Sequence, residues 1–138
     1  TTNYFWGAIK MEPTKKALLA THMHNTPFNN SIRRSLPGYG FIAVATVDEA
    51  LRLCAENLYD VYVVEANLEH SFTETITCFR QIYDALRAQG VEGLEQKMVA
   101  FSSTQGALDL VAELGIPAIQ TTGLSGYLLT HFVDRTPQ

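Results

Sequence analysis

The chain has 138 residues, about the size of one ordinary domain, so a single core is expected. Hydrophobic residues make up 46% and charged residues 17%, a balance that can bury a core and excludes disorder over most of the length. A net charge of -4, with no basic cluster beyond the pairs Lys15-Lys16 and Arg33-Arg34, argues against a surface that follows a nucleic-acid backbone.

Cys54 and Cys78 fall in segments that read as separate helices, with no CxxC spacing and no zinc pattern. Reduced core thiols in a cytoplasmic protein are the expectation. No apolar run approaches the roughly 20 residues that span a bilayer, and no basic region followed by an apolar one opens the chain. A soluble, unsecreted protein without a membrane partner follows as an expectation. Met11 reads as a natural start, so 1–14 is taken as an N-terminal extension or an appended remnant and 15–138 as the domain.

In chain order, Lys16 to Thr21 (KALLAT) is a short apolar run that reads as a buried strand. Asn25-Thr26-Pro27 offers a cap with proline in the first turn, and Phe28, Ile32 and Leu36 recur at helical spacing up to Pro37-Gly38. Phe41 to Ala45 reads as the second strand. Thr46 and Glu49 form a capping box that opens a helix carrying Ala50, Leu51, Leu53 and Cys54.

Asp60 to Glu65 (DVYVVE) is the most strand-like segment, rich in β-branched and aromatic residues, and is expected at the centre of the sheet. Ser71 and Glu74 repeat the capping-box spacing, and Phe72, Ile76, Phe79, Ile82, Tyr83 and Leu86 supply an apolar stripe up to Gly90. Val91 to Gln96 reads as a polar connection and Lys97 to Phe101 as a fourth strand. Gly106 to Leu114 reads as a short helix closed by Gly115. A weak fifth strand over Pro117 to Thr121 and a final helix over Leu124 to Val133 complete the order.

Strands alternating with helices predict an α/β protein with a parallel sheet covered on both faces. The functional crevice of such a sheet lies at the carboxyl ends of its strands. That places the residues of interest at Thr21 to His24, Glu65 to Glu69, Ser102 to Thr104 and Thr121 to Gly123.

The stretch from Gly38-Tyr39-Gly40 through Asp48-Glu49-Ala50-Leu51 to Tyr59-Asp60-Val61-Tyr62-Val63-Val64-Glu65 resembles a response-regulator receiver domain. The resemblance runs over roughly Lys15 to Val133 and is specific in that central third. It implies a flavodoxin-like (βα)5 doubly wound sheet of strand order 2-1-3-4-5. It also implies phosphoryl transfer from a histidine kinase. Active members hold magnesium with an acidic pair after the first strand and accept the phosphoryl group on an aspartate after the third. A Thr/Ser after the fourth strand contacts that group, and a lysine before proline after the fifth pairs with it.

Here the matching positions are Thr21 and His22, then Glu65, then Ser102, then Thr122-Gly123. Only Ser102 keeps its type. Magnesium needs hard oxygen ligands and the anionic intermediate needs a counter-charge, so these losses together imply a degenerate pseudo-receiver. Such a module is not an enzyme and needs no cofactor. Its partner would be a protein such as a histidine kinase or an output domain of the same chain, and a homodimer is open.

For Glu65 itself two readings stand: a fixed charge imitating the phosphorylated state, and a solvated strand-end carboxylate, the simpler of the two. A small-molecule or metal-binding regulatory domain is the alternative function. His22, His24 and Glu65 would make its two-histidine, one-carboxylate site, although alternating loop histidines are a weak signature. The hydroxyls of Ser102-Ser103-Thr104 and Thr121-Thr122 could hold an anion, while helix capping is their commoner role. The resemblance finally implies a partner face on the fourth helix, fifth strand and fifth helix that includes Leu108, Ala112, Tyr127 and Leu128, with some of its apolar surface semi-exposed.

Overall fold

A computed structural model describes residues 15–23 and 26–133 of the chain. The cap expected at Asn25 and the candidate ligand His24 lie outside the described residues, as does the extension 1–14. Five strands, β1 (Lys15–Ala20), β2 (Tyr39–Val44), β3 (Val61–Glu65), β4 (Met98–Ser102) and β5 (Ala118–Gln120), form one sheet of order β2-β1-β3-β4-β5. Every neighbouring pair is parallel. The flavodoxin-like order expected from the sequence is the order observed.

Parallel strands covered on both faces must be apolar on both sides, and alternate side chains must reach opposite layers. All five residues of β3 and of β4 are buried, which is why both read as continuous apolar runs. Leu18, Ala20, Tyr62, Val64, Met98 and Ala100 face one layer. There they meet α2 (Val47–Glu56), α3 (Thr77–Ala88) and α5 (Gln105–Ala112) through Ala50, Cys54, Phe79, Ile82, Leu86, Leu108 and Val111. Ala17, Leu19, Val61, Val63, Val99 and Phe101 face the other layer, closed by α1 (Thr26–Arg34) and α6 (Leu124–Phe132) through Ile32, Leu124 and Leu128. Both cysteines are buried and unpaired, Cys54 in α2 and Cys78 in α3.

The capping box expected at Thr46 and Glu49 is present: the Glu49 backbone N–H donates to Thr46 Oγ1 at 3.2 Å. The second box is not. Helix α3 starts only at Thr77, and Phe72, expected in its apolar stripe, is 92% exposed. The reason is local competition: Thr73 turns its hydroxyl to His70 O at 2.6 Å, and Asn67 Nδ2 donates to Thr73 O at 3.1 Å. The connection before β4 contains a short helix, α4 (Leu94–Lys97), because Leu94 is buried and draws it onto the core. No described helix is long and apolar enough to cross a membrane.

Candidate functional site

The register of the sheet sets the site. Ala20 of β1 pairs with Val64 of β3, so the next residues along the two strands, Thr21 and Glu65, sit side by side at the carboxyl edge. Thr21 Oγ1 donates to Glu65 Oε1 at 2.7 Å, and the His22 backbone N–H donates to the same oxygen at 2.9 Å. His22 Nδ1 lies 2.7 Å from it as well, a third hydrogen bond when that nitrogen carries a proton. The Thr21 hydroxyl is fixed in turn, accepting from the Met23 backbone N–H at 3.0 Å.

Glu65 is therefore not the solvated carboxylate expected from the sequence. Its exposure is 3%, and its oxygen is matched by donors from the end of β1. A carboxylate can be buried in this way because charge-assisted hydrogen bonds replace its water. The sequence could not show it, since Thr21 and Glu65 are 44 residues apart and meet only through the β1–β3 register.

A second network lies beside the first. Ser102 Oγ donates to Asn67 Oδ1 at 3.0 Å and accepts from the Thr104 backbone N–H at 2.9 Å. Its hydroxyl proton is thus committed to Asn67 in the β3–α3 loop. Asn67, 3% exposed, ties that loop to the end of β4. Sequence reasoning placed Asn67 within the crevice range Glu65 to Glu69 but gave it no role. The signal available was the apolar pair Ala66 and Leu68 on either side of it, which continues the strand's burial past Glu65.

His22, Glu65 and Ser102 are thus brought together around a crevice of about 110 Å³, with Thr21 buried behind Glu65. Thr122 is not among its walls. It is exposed in the 3-10 turn Thr121–Gly123, and Thr121 lines the crevice in its place. Met23, Asn67, Ser71, Phe72, Ser103 and Thr104 complete the lining.

Magnesium, which the receiver resemblance implies, does not fit these residues. The two positions that would supply carboxylates carry a hydroxyl and a histidine, and both spend their donors on Glu65. Among the described residues no group of three or more His, Cys, Asp or Glu side chains could hold a metal ion. Of the two-histidine, one-carboxylate site, His22 and Glu65 lie together and His24 is outside the described residues.

Of the four residues expected on the partner face, two are buried. Leu108 and Leu128 are core residues, 3% and 0% exposed, because they point inward from α5 and α6 to the two layers of the sheet. Tyr127 is half-buried and stacks on the His131 ring with centroids 4.0 Å apart, and Ala112 is exposed. The large apolar side chains that these helices do expose are Leu110 and Leu129.

No protein-family model matches the chain, and no curated protein matches it by sequence. Solved structures do match it in shape. The receiver domain of a Francisella response regulator superposes with a TM-score of 0.56 at 16% identity, covering 85% of this chain and 98% of that domain. A de novo designed protein with a Rossmann 2x3 fold superposes at 0.59 with 8% identity, covering 91% of this chain and all of that one, 100%. The chain therefore has the fold of a response-regulator receiver domain. A designed protein shares that architecture just as closely, so any function has to be argued from the site.

Proposed function

We propose that the chain is a receiver-like signalling module that is not phosphorylated at Glu65 and acts by protein-protein contact in a two-component or related regulatory system. The observation that carries this reading is the saturation of Glu65 Oε1 by Thr21 Oγ1 and by the backbone and ring nitrogens of His22. Phosphoryl acceptance needs an exposed carboxylate oxygen, a cation beside it and a positive group facing it. At this edge the carboxylate is buried, the cation's ligands are replaced by hydrogen-bond donors, and Thr122 stands where the resemblance would put a lysine.

A fixed, protein-satisfied charge holds one conformation, and so suits a module that presents a constant surface to a partner. A histidine kinase or an output domain fits that role, in the cytoplasm and without enzymatic activity of the module itself. The small-ligand alternative has less support, because about 110 Å³ falls below the roughly 300 Å³ at which ligand pockets usually begin.

The test is incubation of the chain with acetyl phosphate and magnesium, followed by intact-mass and peptide mass spectrometry. No phosphoryl adduct at Glu65 is expected. A stoichiometric adduct there would overturn the proposal.

A further inference from the structure

Two residues other than glycine have a left-handed backbone among the described residues, and they sit three apart in the β3–α3 loop: Glu69 at φ +65° and Phe72 at φ +66°. Each occupies the third position of a tight turn, closed by His70 N–H to Asn67 O at 2.8 Å and by Thr73 N–H to His70 O at 3.2 Å. That position favours glycine or asparagine, and a bulky side chain there is strained.

The strain at Glu69 has a visible counterweight. Its carboxylate accepts from the Val47 backbone N–H at 2.6 Å, at the start of α2. Phe72 has no such counterweight, since its ring is 92% exposed. The loop beneath it is nonetheless held firmly, by Asn67 to Thr73 O, by Ser102 to Asn67 and by Glu69 to α2. A rigid loop thus holds a strained aromatic ring out into water.

The loop segment that carries the ring is acidic along the chain, and His22 lines the crevice that Phe72 also borders. Glu69 and Glu74 flank it in the loop, and Asp48 and Glu49 lie in the first turn of α2 that Glu69 touches. His70 is the only basic-capable group of the loop, and the nearest arginine along the chain is Arg80, in α3.

We infer that Phe72 is an anchor for a protein partner whose surface offers an apolar socket ringed by lysine or arginine. This rests on the protein-contact reading above and names its surface. A rigid exposed aromatic supplies contact area at small entropy cost, and the acidic rim supplies orientation and a salt-sensitive association rate. The partner's chemistry follows from complementarity: apolar where Phe72 enters, positive around it.

A random peptide library displayed on phage and selected against the full chain provides the probe. Enriched peptides should carry Lys or Arg on either side of an apolar residue, and their affinity should fall as salt is raised. Phe72→Gly, which relieves the backbone strain and so keeps the fold, should weaken binding at least about tenfold. Glu74→Gln should weaken it severalfold and flatten the salt dependence. Enrichment of acidic peptides, binding indifferent to Phe72→Gly, or no enrichment at all would overturn the inference. Sedimentation showing a dimer lost in Phe72→Gly would also overturn it, by assigning the ring to a second copy. Failure on any of these counts leaves the phosphodonor result untouched, and a phosphoryl adduct would leave the peptide result standing.

Discussion

His22 spans the gap between β1 and β3 to reach Glu65 twice, with its backbone N–H 2.9 Å and its ring Nδ1 2.7 Å from the same oxygen, Oε1. Where the receiver resemblance would put a metal-binding carboxylate, His22 donates to Glu65, which the same resemblance would put at the phosphoacceptor. Hydrogen bonds within the chain thus close off Oε1, at the edge of a crevice that stays open.

That closure predicts a graded cost of substitution. Glu65→Gln keeps an acceptor for Thr21 and the His22 amide and should cost about 1 kcal/mol, whereas Glu65→Ala leaves buried donors unmatched and should cost about 2–3 kcal/mol. Thr21→Val removes one donor and should fall between them. Urea denaturation gives the order, and equal costs for Gln and Ala would mean that Oε1 is not the accepting group that holds this edge together.

Gly106 lies under Glu74. A Cβ built at Gly106 would collide with the Glu74 carboxyl and its neighbouring methylene, so the side chain has to move if that methyl is added. Gly106→Ala should gain helix propensity in α5 and lose the Glu74 placement, leaving stability nearly unchanged. In a Glu74→Ala background only the gain remains, and the same change should stabilise by about 0.5–1 kcal/mol. A double-mutant cycle by thermal or urea unfolding measures the difference, and additive effects would show that the two residues do not compete for space.

Burial pushes the Cys54 thiol up to about 11, and it raises the Tyr59 and Tyr62 hydroxyls in the same direction. An unfolded thiol titrates near about 8.5, so between that pH and about 11 the native state keeps a proton that the unfolded state has lost. Stability is therefore fully present below about pH 8.5 and declines as pH rises. Relative to about pH 8, the loss at about pH 10.5 assignable to Cys54 should be roughly 2 kcal/mol, and Cys54→Ala should remove that part of the slope. The check is urea unfolding at both pH values. The thiol should also resist alkylation until the chain unfolds.

Most of the architecture was legible because buried parallel strands announce themselves. Leu18 to Ala20, Val61 to Val64 and Met98 to Phe101 are apolar on both faces and bracketed by polar turns. The box at Thr46 and Glu49 was readable because its hydrogen bonds form between residues three apart within the segment itself. The identical spacing at Ser71 and Glu74 misled, since Asn67, Thr73 and the left-handed backbone at Phe72 claim the same segment for turns. That Thr21, His22 and Thr122 stand where the receiver resemblance would put an acidic pair and a lysine was readable from the sequence. The burial of Glu65 was not, because it depends on a strand register linking residues 44 positions apart.

The two strained positions of the β3–α3 loop should answer oppositely to the same substitution. Glycine relieves about 1–2 kcal/mol of left-handed strain and returns somewhat less through chain entropy, so Phe72→Gly, which gives up almost no burial, should raise stability by about 0.5–1 kcal/mol. Glu69→Gly gains the same relief but frees the Val47 N–H, a lost cap worth about 0.5–2 kcal/mol, so it should be neutral or destabilising. Thermal unfolding of the two variants under one buffer condition decides between them. A ring that the chain holds against its own stability has its use outside the chain, whereas destabilisation by Phe72→Gly would show that the ring contributes to the fold and would remove that argument for an external partner.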